Sequence, residues 1–283
     1  MSSPSDSATR GWLITGANSG FGAAFTRAAL AAGDAVVAAV RRPGTMAELA
    51  AAHPDRLTVV ALDVADAEAC QRAVHAAESA LGRIDVLVNN AGFGTVGALE
   101  ETTEDELRHA MEVMFFGPMR LTRLALPGMR RRRGGAIVQL TSMGGLLAFA
   151  GVGTYAAAKG ALEQASEALA AEVGPLGIRV LIVEPGAFRT EFNGAIATAA
   201  PLPDYAATVR VIRDNLAAAD GRQPGDPAKA ARALLATLAL PDPPLRLPLG
   251  DDAVTAIRAK LARVEGDITA TAHLGTGPAI NFP

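Results

Sequence analysis

A single cysteine, Cys70, excludes an internal disulfide and any zinc site built from several thiolates, and a reducing, cytoplasmic setting is expected. The four histidines, His53, His75, His109 and His273, are scattered and give no i,i+4 pair that would hold a metal on one helix face. Aromatic residues are only 4 % of a chain that is 50 % hydrophobic, so the core must rest on Ala, Leu and Val. Neither sign of charge dominates: the formal net charge of −3 gives no case for nucleic acid or for an anionic membrane. Residues 1–10 lack the basic head and apolar stretch of a secretory signal and are expected to form a loose tail. One long uncharged run, Gly134 to Ala158, carries six glycines with Thr141, Ser142, Thr154 and Tyr155, which argues for strand, loop and helix start and against a membrane span. The basic run Arg130–Arg133 precedes Gly134-Gly135 and is expected to be a solvated helix end.

What the chain does have is alternation. Short apolar runs (11–15, 35–40, 57–61, 86–89, 136–140, 179–184 and 245–249) are separated by helical patterns, including 20–32, 67–81, 104–132, 155–173 and 227–240. Runs apolar at successive positions suit strands covered on both faces, so residues 11–283 are expected to form one α/β domain around a doubly wound parallel sheet. Ligand sites in such sheets lie beyond the C-terminal strand ends. The segment 187–223 breaks the rhythm: it is expected to hold no strand and to form a substrate loop or lid.

The first strand runs into Thr15-Gly16-Ala17-Asn18-Ser19-Gly20-Phe21-Gly22 and then an Ala-rich helix. Glycines let the backbone approach a pyrophosphate closely, and the helix N-terminus supplies N–H groups and positive potential. Gly16, Asn18, Ser19, Gly20, Phe21 and Gly22 are therefore candidate cofactor residues, in a G-x3-G-x-G spacing. After the second strand, an NAD site usually offers an acid to the adenosine ribose. Here no acid falls between Asp34 and Glu48, and Arg41-Arg42 stand at the strand end. Arginine's planar fork suits a ribose 2′-phosphate, so the expected cofactor is NADP(H). Asp63 and Val64 after the third strand fit an adenine edge, and Asn90, Ala91 and Gly92, which follow Asn89, fit a floor beneath the cofactor.

Tyr155 and Lys159 lie one helical turn apart on the same face, so the ammonium can favour the phenolate and also reach the nicotinamide ribose. Ser142, beyond the fifth long strand, is placed to donate to a substrate oxygen. This combination, with Thr15–Gly22, Asn89–Gly92 and Pro185-Gly186, closely resembles the short-chain dehydrogenase/reductase family from about Gly11 to Leu249. The resemblance implies a seven-stranded Rossmann-like sheet in the order 3-2-1-4-5-6-7 and hydride transfer between NAD(P)(H) and an alcohol or carbonyl. It makes Tyr155 the general acid/base, Lys159 its pKa-lowering partner and Ser142 the substrate-oxygen donor. Pro185, Gly186 and Thr190 would hold the nicotinamide end. It also implies a homodimer or homotetramer associating through residues 104–132 and 155–173. The segment from Ile178 to Asp252 is similar to members acting on steroid- or retinol-like alcohols, which does not name a substrate.

One position departs from the family pattern. Met114 stands where an asparagine is common, whose backbone carbonyl helps hold a proton-relay water. Three functions follow: an active carbonyl–alcohol oxidoreductase, an NADP(H)-binding sensor or scaffold with little turnover, or an epimerase or dehydratase using the same tyrosine and lysine. A moderately large, uncharged ketone, aldehyde or secondary alcohol is the expected substrate, against a wall of Gly94, Met143, Leu146, Leu147, Phe149, Phe188 and Phe192. No metal is expected.

Overall fold

The computed structural model describes residues 9–276 and Ile280. Among the described residues nine strands form: β1 (Gly11–Thr15), β2 (Ala35–Val40), β3 (Leu57–Ala61), β4 (Val86–Asn89), β5 (Thr95–Val96), β6 (Gly135–Leu140), β7 (Ile178–Pro185), β8 (Ala197–Thr198) and β9 (Arg246–Leu249). The helices are α1 (Gly20–Ala31), α2 (Ala47–Ala52), α3 (Ala67–Leu81), α4 (Glu104–Met111), α5 (Gly117–Arg132), α6 (Gly153–Val173), α7 (Val211–Ala218), α8 (Pro227–Leu238) and α9 (Asp251–Gly275). Seven strands make one parallel sheet in the order β3-β2-β1-β4-β6-β7-β9, which is 3-2-1-4-5-6-7 once the two short strands are set aside.

Alternation along the strands feeds two cores. Trp12, Ile14, Val36 and Ala38 point to the face covered by Phe25, Ala29 and Leu30 of α1 and by Ala231 and Leu234 of α8. Leu13, Val37, Leu87 and Ile137 point to the opposite face, under Ala73 and Val74 of α3 and Leu121, Ala125 and Met129 of α5. The chain crosses from one side of β1 to the other between β3 and β4, and the crevice at that reversal opens beyond the C-terminal strand ends.

Three expectations need correction. The helix expected over 104–132 is two helices joined by a π-helical turn, Glu112–Phe116. Pro118 lacks the N–H that an uninterrupted α-helix would direct to the carbonyl of residue 114, so the ladder is broken there whatever side chain residue 114 carries. The segment 187–223 does hold a strand: β8 pairs in parallel with β5, two residues on each side, too short to show a period in sequence. The basic run at the end of α5 is not only solvated. Arg132 donates to the Ile84 carbonyl and Arg133 to the Pro175 carbonyl, both at 2.7 Å, and Arg133 itself adopts a left-handed φ of 51° at the helix end.

No helix among the described residues is long and apolar enough to cross a membrane.

Candidate active site

The glycine turn is fixed by its geometry. Gly16 and Gly20 have φ of 62° and 48°, a region that glycine enters without strain. A Cβ on Gly22 would lie 2.1 Å from the Gly16 carbonyl oxygen, so α1 starts directly over that carbonyl and no side chain fits. The Gly16 amide donates to Ala39 at 2.9 Å, and the Asn90 side-chain amide donates to the carbonyls of Thr15 (2.8 Å) and Gly16 (3.2 Å). Thr15 Oγ1 accepts from the backbone amides of Asn90 and Ala91, each at 2.9 Å. The ends of β1, β2 and β4 are thus tied into one rim.

This rim fits a dinucleotide diphosphate. The first-turn amides of α1 have no intrahelical acceptor, the Ser19 side chain makes no capping bond, and no acid occupies the first turn of the helix. Asn18 and Ser19 are exposed, as are Arg41 and Arg42, which the Gly16–Ala39 bond sets beside the turn. Neither arginine is in an ion pair among the described residues. Asp63 is exposed and turns back to accept from the Ala65 amide at 3.0 Å, while Val64 is buried. Sequence reasoning missed Glu191. Its carboxylate accepts from the Gly20 amide at 3.3 Å, an anion at the positive end of α1, and Thr190 packs against the same glycine.

Ser142, Tyr155 and Lys159 meet at the ends of β6 and β7. Ser142 Oγ accepts from the Gly144 amide at 3.0 Å and shares a hydrogen bond with the Tyr155 hydroxyl. Burial pushes the Tyr155 pKa up to about 12, against which the Ser142 bond acts. The lowering of that pKa expected from Lys159 is not found: the shift is upward, and the group that opposes it is Ser142. The Lys159 ammonium donates to the Leu140 carbonyl at 2.7 Å and lies 5.8 Å from the Tyr155 ring centre. Burial lowers its pKa to about 8, with Glu163 opposing.

Gly92 borders this lysine. A Cβ there would lie 3.5 Å from Met114 Cγ and 3.6 Å from Lys159 Nζ. Met114 is fully buried with Ala110 and Ala158. The backbone departure from α-helix that an asparagine is commonly associated with is present here with methionine.

Behind Lys159 lies an acidic cluster that sequence reasoning did not find. Glu163, one turn further along α6, and Glu184 on β7 are both buried, and Arg246 on β9 bridges them to Glu167. Burial raises the pKa of Glu163 and takes that of Glu184 to about 7. The signal was an acid four residues beyond Lys159 on the same helix face. Glu163 lies against Gly145, where a Cβ would come within 2.1 Å of Oε1.

On the substrate side, the Phe192 ring meets Tyr155 edge-on with centroids 5.9 Å apart. Phe192 and Ile196 press on Gly94, each 2.8 Å from where a Cβ would stand. Phe188 is not part of this wall: it packs on Phe21, centroids 5.0 Å apart, and against Gly225. Pro185 is buried, and the loop after it is held by Asp252, which accepts from the Ala187 amide at 2.7 Å and lies against Gly186.

The glycine turn and the cluster of serine, tyrosine and lysine both stand at the C-terminal strand ends of one doubly wound parallel sheet, and comparison with known proteins identifies the class. Residues 11–200 match the short chain dehydrogenase family. The chain belongs to the short-chain dehydrogenase/reductase family and is an oxidoreductase of it. It is similar to a short-chain dehydrogenase from Streptomyces avermitilis, at 48 % identity and TM-score 0.90 over 97 % of this chain and 100 % of that one. It is 36 % identical over 248 residues to an oxidoreductase of Botryotinia fuckeliana, covering 87 % of this chain and 90 % of the relative. A short chain dehydrogenase from Burkholderia cenocepacia, solved in complex with NADP, is 26 % identical with TM-score 0.72, covering 94 % of this chain and 97 % of that one.

Proposed function

We propose that the protein is an NADP(H)-dependent oxidoreductase that interconverts a carbonyl and an alcohol on a moderately apolar substrate, with Tyr155 as general acid/base. The observation that carries this is the junction of Ser142, Tyr155 and Lys159 at the strand ends that face the glycine turn.

The bound dinucleotide supplies the hydride that reduces the carbonyl carbon. Gly16, Gly20 and Gly22 admit its diphosphate to the α1 N-terminus, with Asn18, Ser19 and Phe21 around it, and Glu191 moves aside. Arg41 and Arg42 take the ribose 2′-phosphate. Asp63 and Val64 border the adenine, Asn90, Ala91 and Gly92 form the floor, and Pro185, Gly186 and Thr190 hold the nicotinamide end. The NADP complex of the Burkholderia cenocepacia relative supports a nicotinamide dinucleotide at this site, and Arg41 with Arg42 carries the choice of NADP(H). Tyr155, kept protonated at neutral pH by burial, gives its proton to the substrate oxygen, and Ser142 steadies that oxygen by donating to it. Lys159 then resupplies the proton from an ammonium whose pKa near 8 eases its loss. In the reverse direction Tyr155 is the base.

Phe192, Ile196 and Gly94 form the apolar mouth, and the segment 187–223, tied to β5 through β8, is the substrate loop. Exposed Phe116 on the π-turn is part of a face suited to self-association. One observation favours a second reading: Met114 removes the amide commonly found beside the lysine, which suits a binder with little turnover. A screen of carbonyl compounds with NADPH and NADH tests the proposal. Consumption of one equivalent of NADPH per alcohol formed is expected, and a tenfold preference for NADH would contradict the cofactor assignment.

A further inference from the structure

The last helix, α9, continues beyond the core that supports its start. Of its 25 residues only Ala253 and Ile257 are buried, and every residue from Glu265 to Gly275 is exposed. Yet its apolar residues keep order. Val254, Ile257, Leu261, Val264 and Ile268 follow at alternating spacings of three and four, the a/d seam of a coiled coil. Ile257 seats this stripe on the protein body. Further along it emerges into solvent, with Leu261 57 % and Ile268 56 % exposed.

The charges beside the seam identify what covers it. With Ile257 and Val264 at d, and Leu261 and Ile268 at a, the flanking e positions are Arg258 and Glu265 and the flanking g positions are Lys260 and Asp267. None of these four is in an ion pair among the described residues. In an antiparallel pair of helices, a residues pack on d residues, e flanks e and g flanks g. Place a second copy so that Leu261 meets the partner's Val264. The same two-fold rotation brings Arg258 to the partner's Glu265 and Lys260 to the partner's Asp267, and leaves Ile268 at the edge where the partner's Ile257 turns into its own core. One symmetry operation therefore closes the two Leu261–Val264 layers and neutralises all four charges, which is the self-complementarity an isologous interface requires. A parallel pair would match only Lys260 with the partner's Glu265. A basic membrane-binding face would not alternate sign in this way.

We propose that α9 is a docking surface for a second copy of this chain, paired antiparallel through Leu261, Val264 and Ile268. This does not depend on the reaction assigned above. The test uses two charge-reversed full-length chains, one carrying Arg258→Glu with Lys260→Glu, the other Glu265→Lys with Asp267→Lys. Each places like charges across the seam with itself but opposite charges across it with the other. Analytical ultracentrifugation should show each variant alone losing one association step, with at least tenfold weaker self-association, and the equimolar mixture regaining it. Leu261→Asp with Ile268→Asp should lose the same step without rescue by any partner, at unchanged circular dichroism. Unchanged assembly in all variants would overturn the proposal, as would loss that mixing does not restore. So would wild-type binding to phosphatidylserine vesicles that the Leu261/Ile268 variant lacks, which would assign the stripe to a lipid surface.

Discussion

Lys159 donates its ammonium to the Leu140 carbonyl, 2.7 Å away, so the last peptide of β6 holds the side chain that stands behind Tyr155. That bond fixes where the amine lies, while burial decides how readily it gives up its proton.

The pH dependence follows from this. Burial shifts Lys159 from 10.5 to about 8, so the ammonium needed for proton resupply is lost as pH rises through about 8. The reductive kcat should fall above that pH, whereas a lysine at its usual pKa would sustain it beyond 10. The stability effect has the opposite sense. The folded state binds fewer protons than the unfolded state between about 8 and 10.5, so this group's contribution to stability rises with pH across that window. A pH–rate profile flat to pH 10 would contradict the assignment.

Arg41 and Arg42 set cofactor choice. Replacing both with Ala should raise KM for NADPH about tenfold or more, on the order of 1.4 kcal/mol, and leave KM for NADH nearly unchanged. Equal losses with both dinucleotides would mean that the arginines do not read the 2′-phosphate.

Met114→Asn separates an impaired relay from one that needs no amide. Pro118 already leaves the residue-114 carbonyl without its α-helical donor, so the structural framework for a relay does not depend on the side chain. We expect kcat to change less than threefold; a rise of tenfold or more would favour the low-turnover reading.

The arginine on β9 supports two buried carboxylates. Arg246→Met leaves Glu163 and Glu184 uncompensated and should destabilise the protein by about 3–5 kcal/mol, measured by urea unfolding at pH 7.5. Glu184 is raised from 4.5 to about 7, so the folded state binds more protons and stability falls as pH rises between those values. Glu184→Gln should flatten that slope by about 1 kcal/mol per pH unit. Identical pH–stability curves for the two proteins would refute this account of Glu184.

The sheet was legible in the sequence because each strand is apolar on both faces and each motif follows a strand end. Tyr155, Lys159 and Ser142 were legible for the same reason: one helix turn and one strand end bring them together. The acidic cluster was not, because Glu163, Glu184 and Arg246 come from three elements and only the β6-β7-β9 order joins them. Glu191 escaped because its partner, the Gly20 amide, is supplied by the distant start of α1. The π-turn was missed because Gly117-Pro118 sits inside a strong helical period, where proline's missing donor is outvoted by periodicity alone. The pairing of β5 with β8 involves too few residues to have any pattern.

The most direct test is Tyr155→Phe, assayed beside the wild type for NADPH affinity by fluorescence and for single-turnover reduction of a carbonyl found in the screen. The account predicts an unchanged Kd for NADPH with turnover reduced at least a thousandfold, roughly 4 kcal/mol of barrier. Reduction at an undiminished rate in the phenylalanine variant would show that the proton comes from another group.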